Sequence, residues 1–145
     1  LMQSGASSTY ITTGLSDGDV VNVSVTNASG CSATSSDITM TVHGRPVPTL
    51  TGEVVVCTDD IETYNTEAGM TAYSWTVTGG SVSAGGGAAD PSVTITWDTL
   101  GSQTVTVNYA NADGCSAAVD TELSVDVYKT PETGPVYHIP ADHSE

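Results

Sequence analysis

Residues 92–117 read SVTITWDTLGSQTVTVNYANADGCSA. Val93, Ile95 and Trp97, then Val105, Val107 and Tyr109, alternate with Thr, Ser and Asn, the period-2 signature of strands that bury one face. Asp98-Thr99-Leu100-Gly101 lies between the two runs and carries turn chemistry, so an antiparallel hairpin joining them is expected. Working outward, the alternation returns at Val21, Val23 and Val25, at Ile38, Met40 and Val42, at Tyr73, Trp75 and Val77, and at Leu123, Val125 and Val127. Turn residues separate these runs at 16–19 (SDGD), 79–80 (GG) and 111–114 (NADG). No stretch shows a helical period, and many short strands with such turns predict an all-β, antiparallel sandwich.

Composition agrees with that reading. Of 145 residues, 40 are Ser or Thr, 18 are Val and 15 are Gly, with no Phe. β-branched residues favour pleated, half-buried strands. Arg45 and Lys129 are the two basic side chains against 17 acidic ones, a formal charge of -15. A phosphate binder needs Lys and Arg to release counterions, which argues against a nucleic-acid partner; the same field opposes an anionic membrane surface. No run of about 18 apolar residues is present to insert into a membrane as a helix. The chain starts with Leu1 rather than Met, which suggests a mature product or a segment of something longer.

An internal repeat sets the domain organisation. Residues 21–42 (VNVSVTNASGCSATSSDITMTV) return as 105–127 (VTVNYANADGCSAAVDTELSVDV). Asn27, Gly30 and Cys31 fall on Asn111, Gly114 and Cys115 at an offset of 84 residues; after one inserted residue, Ile38, Met40 and Val42 fall on Leu123, Val125 and Val127. Only the second copy has an N-terminal half before it. The expected division is therefore the C-terminal part of an incomplete module at 1–43, a Pro-bearing linker at 44–48, a complete module at 49–128, and a linker or tail at 129–145. Residues 1–43 are too few to bury a core alone. Their missing strands are expected upstream or from a partner.

The three cysteines fit the repeat. Cys57 precedes and Cys115 follows most strands of the complete module, and a bridge between them would close a long loop and require an oxidising compartment. Three buried thiols are the alternative. Cys31 sits where Cys115 does, in the copy whose early half is absent. Trp75 lies between Cys57 and Cys115, an order similar to the buried Trp against the disulfide of immunoglobulin-type sandwiches. Trp97, at a strand end beside Asp98, is expected nearer the surface than Trp75.

Residues 25–42 (VTNASGCSATSSDITMTV), 45–82 (RPVPTLTGEVVVCTDDIETYNTEAGMTAYSWTVTGGSV) and 92–117 together resemble the PKD-like and immunoglobulin-like repeats of very large Bacteroidota surface proteins, the gliding-motility adhesins and other cargo of the type IX secretion system. Ordinary PKD domains carry WDFGDG; here Trp75 is followed by Thr76-Val77-Thr78-Gly79-Gly80. The resemblance implies tandem immunoglobulin-like sandwich modules that act as spacers or adhesive stalks on the cell surface. Its implied partners are neighbouring modules, secretion or outer-membrane anchoring proteins, and surface polysaccharide. Asp98-Thr99-Leu100 also looks like the O-glycosylation signal of that phylum, with Thr99 as acceptor.

Chemistry is sparse. His43 borders a linker, and His138 and His143 lie in the tail, so no His is placed for a hydrolytic triad; His138 and His143 with Asp142 are a weak transition-metal candidate. Asp59 and Asp60 are adjacent and so point to opposite strand faces, and no GK[ST] follows the Gly clusters. No enzyme is predicted and no cofactor is implied. Hard oxygen ligands make Ca²⁺ the metal to consider, with weak candidates Asp17, Asp19, Asp59, Asp60, Glu62 and Asp113, none in EF-hand spacing. The structural spacer is the first reading. The alternative is a carbohydrate-binding sandwich with Trp97 or Tyr73 as stacking platform, and it requires those aromatics to be exposed.

Overall fold

The computed structural model describes residue 5 and residues 7–131, and among these there are eleven strands and no helix. The chain forms two compact units, Leu1–Gly44 and Arg45–Glu145. His138, His143 and Asp142, like most of the predicted tail, lie outside the described residues.

The first unit holds β1 (Val20–Val21), β2 (Ser24–Thr26), β3 (Ser32–Thr34) and β4 (Ile38–Thr39). β1 pairs antiparallel with β4, and β2 with β3. The single run expected over Val21–Val25 is thus split in two. Asn27 closes the β2–β3 turn: its side-chain Oδ1 accepts from the Ser29 and Cys31 amides, an Asx turn. No described residue of this unit is buried.

The second unit is a two-layer sandwich of β5 (Val55–Cys57), β6 (Ile61–Asn65), β7 (Thr71–Val77), β8 (Gly80–Gly85), β9 (Ser92–Trp97), β10 (Gly101–Ala110) and β11 (Thr121–Tyr128). One sheet has the order β5-β11-β10-β7 and the other β6-β9-β8. All pairings are antiparallel except β5 with β11, where Val55, Val56 and Cys57 run parallel to Asp126, Val127 and Tyr128. Alternate residues of the inner faces fill the core: Val93, Ile95 and Trp97 from one sheet meet Val105, Val125 and Val127 from the other. Outward-facing Thr residues pair across strands, as Thr63 does with Thr94 at 3.0 Å, which gives the Thr-rich composition a structural use.

Two expectations are corrected here. The 98–101 turn does not close a hairpin: β9 belongs to the three-stranded sheet and β10 to the four-stranded one. The segment crosses from one layer to the other, tied down by the Asp98 and Thr99 amides on the Gly79 carbonyl at 3.3 and 3.1 Å. The second concerns Trp75 and Trp97, whose roles are exchanged. β7 is an edge strand, leaving Trp75 half-buried, while β9 is central in its sheet and puts Trp97 wholly inside.

Candidate functional site

The stacking platform of the carbohydrate reading is absent. Trp97 is 0% exposed and Tyr73 5%, so neither can face a sugar ring. Trp97 packs edge-to-face on Tyr64, with centroids 6.0 Å apart, and Tyr73 packs the same way on Tyr109 at 5.6 Å. The half-buried Trp75 spends its Nε1–H on the Asp90 carbonyl at 3.0 Å. Tyr64 and Tyr73 likewise donate their hydroxyls to backbone carbonyls, whereas the buried Trp97 Nε1 has no hydrogen-bond partner among the described residues.

The expected Cys57–Cys115 bridge is not formed in the structure, and the register explains why. Cys57 lies opposite Tyr128, whose neighbour Val127 pairs with Gly101 at the start of β10. Cys115 follows the end of β10, where Ser116 bridges Ala110. The length of β10 therefore separates them, roughly 30 Å at 3.4 Å per residue. A disulfide needs Cα atoms within about 7 Å.

The calcium candidates do not assemble, and among the described residues no three His, Cys, Asp or Glu side chains come together to hold a metal ion. Their carboxylates serve turns instead. Asp19 accepts from the Ser16 amide at 2.7 Å, Asp17 from the Val42 amide at 3.0 Å, and Asp60 from the Cys57 amide at 2.7 Å. Asp59 takes the left-handed conformation (φ 72°) in the β5–β6 turn, which Asp tolerates better than most residues. Glu62 lies on β6, and Asp113 on the turn after β10, where its amide donates to Asn111 Oδ1 at 3.1 Å. Thr99 is exposed in the layer-crossing turn, its hydroxyl donating to Asp98 Oδ1 at 2.8 Å.

The most developed polar cluster was not anticipated from the sequence and centres on Glu67. Its carboxylate accepts from the Tyr109 hydroxyl at 2.7 Å and from the amide and hydroxyl of Thr49. Its backbone carbonyl accepts from the Tyr73 hydroxyl at 2.7 Å, and that oxygen in turn accepts from the Met70 amide. Burial alone would raise the Glu67 pKa, but the hydrogen bonds from Thr49 and Tyr109 outweigh it and hold it at about 2. Tyr109 is pushed up to about 12, by burial first and then by the carboxylate it donates to. The cluster fastens the segment ahead of β5 to the end of β10.

Near this pole, Arg45–Pro48 and Ala117–Val119 line an apolar dent of about 150 Å³. Thr121 at the start of β11 donates to the Pro48 carbonyl at 2.7 Å. At the other pole, Thr58 accepts the Thr130 hydroxyl on its carbonyl at 2.7 Å and donates its amide to the Tyr128 carbonyl at 2.8 Å. The chain thus comes into the module beside one end of β11 and leaves from the other, roughly 24 Å away at 3.4 Å per residue.

No curated protein matches the chain. Among solved structures it is similar to the crystal structure of the S-layer protein SbsC domains 4 and 5, with 20% sequence identity, over 81% of this chain and 74% of that one, at a TM-score of 0.38. That likeness is too low to bear on function. The profile of the PKD-like domain matches residues 45–125, the span of the sandwich with its Glu67 cluster and buried aromatics. The chain belongs to the PKD-like domain family.

Proposed function

We propose that this chain is a structural spacer: a segment of a long, acidic bacterial surface adhesin, serving cell adhesion or gliding motility and exported as type IX secretion cargo. The observation that carries the reading is the placing of the module's incoming and outgoing strands at opposite poles, the arrangement that lets modules line up end to end. Family membership and the burial of Tyr64, Tyr73, Trp97 and Tyr109 support it. A formal charge of -15 and a Ser/Thr surface keep such a rod soluble and discourage edge-to-edge association. Its partners on this reading are neighbouring modules and the secretion or anchoring proteins of the outer membrane, and Thr99 is an accessible acceptor for a surface glycan.

The test is antibody labelling of intact source cells, with and without a working type IX exporter, beside a glycan array probed with the same chain. Surface label that vanishes with the exporter, and no sugar binding, is the expected pair of results. Label confined to the cell interior would sink the spacer reading. Saturable binding of one sugar would replace it with a carbohydrate-binding module that uses a surface other than Trp97 or Tyr73.

A further inference from the structure

Asp90–Pro91 is the one Asp–Pro bond in the chain. It lies in the loop between β8 and β9, where both residues are half-buried. Backbone contacts hold the loop on either side of the bond. The Gly87 amide donates to Asp90 Oδ2 at 2.9 Å, and the Asp90 amide donates to the Gly87 carbonyl at 3.0 Å. The Tyr73 amide donates to the Ala88 carbonyl at 3.0 Å, and the Thr66 amide to the Pro91 carbonyl at 2.9 Å. The carbonyl of the bond itself accepts the indole Nε1–H of Trp75 at 3.0 Å.

An Asp–Pro linkage is open to attack by its own side chain. The Asp carboxylate reaches the carbonyl carbon through a five-membered ring, and proline leaves a tertiary amide as a basic secondary amine. What the fold adds is a donor on the oxygen that becomes negative. A fixed donor about 2.7–3.1 Å from a developing oxyanion stabilises the transition state more than the ground state, and Trp75 stands at that distance. Holding carboxylate and carbonyl in one fastened loop also removes rotational freedom that an open chain has to give up on reacting.

We infer that Asp90–Pro91 is a self-cleavage site, cut in mild acid without a protease. Asp90 Oδ1 adds to the Asp90 carbonyl carbon, and the π pair of that carbonyl moves onto the oxygen held by Trp75. As the pair returns, the C–N bond breaks and its electrons go to the Pro91 nitrogen, which takes a proton from solvent. Asp90 is left as a cyclic anhydride and Pro91 as a new amino terminus. Water opens the anhydride to the two carboxyl groups of a C-terminal Asp90, so the balance is that of peptide hydrolysis. Topology decides what the cut does. Of the five strand pairings in the sandwich, β5–β11, β6–β9, β7–β10 and β8–β9 cross the cut, and β10–β11 does not. The cut module therefore stays assembled as two chains but no longer transmits tension through a continuous backbone. In a spacer this is a release point; the cleavage does not rest on the spacer reading, so surface labelling and the following experiment fail independently.

The 145-residue chain is held in mildly acid buffer, folded and in the same buffer with urea, and the products are read by intact mass. Fragments 1–90 and 91–145 are expected, formed at least ~10-fold faster from the folded chain. They should elute together on size exclusion until urea separates them. Trp75→Phe should bring the folded rate down to the unfolded one. Asp90→Glu, which enlarges the ring, should suppress cleavage in both states. Equal rates from the folded and unfolded parent chain overturn the inference, since the lability of any Asp–Pro bond would then account for the cut. So does a folded parent chain that stays intact, or a folded Trp75→Phe protein that is cut as fast as the parent.

Discussion

Glu67 is the residue whose replacement is most informative. Glu67→Gln keeps the shape but loses the charge-assisted bonds from Thr49 and Tyr109, and at pH 7 it should destabilise the module by about 1–2 kcal/mol, toward the low end because the group is partly solvated. The folded pKa of about 2 lies below the ordinary 4.5. The carboxylate's contribution is therefore present in full above pH 4.5 and lost as pH falls through 2. Urea melts of the two proteins should differ by a constant amount from pH 7 to 5 and converge below 4; a gap unchanged at pH 2 would mean the charge is immaterial. Tyr109 behaves with the opposite sign. Held at about 12 against 10.0, it stabilises below pH 10 and ceases to as pH rises toward 12, a loss that Tyr109→Phe should remove. None of this could be read from the sequence, because Glu67 lies 18 residues from Thr49 and 42 from Tyr109. The cysteines show the converse failure: repeat parity suggested a bridge, but parity says nothing of which pole each thiol occupies. Intact mass after alkylation without reductant should show three labels, where a Cys57–Cys115 bridge would leave one.

At the scale of elements, period-2 alternation located β7, β9, β10 and β11 because it depends only on which face is buried, and it missed β6 and β8. It could not assign strands to sheets. A turn such as 98–101 has the same chemistry whether it folds a strand back beside its neighbour or carries it to the opposite layer, and the choice is made by distant partners: β6 for β9, and β7 and β11 for β10. The burial of Trp97 follows from that choice, so Trp97→Ala should cost about 3–5 kcal/mol in thermal or urea unfolding. A second sensitive point is Gly85, where β8 ends. It holds a positive φ of 66°, and a Cβ there would meet the Ser92 carbonyl oxygen at 2.4 Å. Gly85→Ala should destabilise the module by about 1–3 kcal/mol, more than Gly114→Ala, whose φ is also positive but which has open space around it. Similar losses at the two positions would show that backbone conformation alone matters and that the β8–β9 contact can yield.

At the scale of the whole molecule, charge decides the response to solvent. With a formal charge of -15 and two basic residues among 145, repulsion among carboxylates opposes the compact state. Raising ionic strength shortens its range from about 30 Å at 0.01 M to about 8 Å at 0.15 M. The melting temperature at pH 7 should therefore rise by a few degrees over that interval. Acidification acts in two stages. As pH falls the net negative charge shrinks and repulsion falls with it, while Glu67, with its pKa near 2, is still ionised and still accepts from Thr49 and Tyr109. Stability at low salt is thus expected to increase from pH 7 to about pH 4 and to decline only below about pH 3, when the Glu67 cluster is lost. In 0.3 M salt the increase should shrink and the decline remain, because the first is a long-range effect and the second a set of short hydrogen bonds. Thermal melts across pH 2–7 at both ionic strengths separate the two. A melting temperature that falls steadily from pH 7 to 4 at low salt would mean that other carboxylate contacts, such as those of Asp19 and Asp60 with backbone amides, outweigh the net charge.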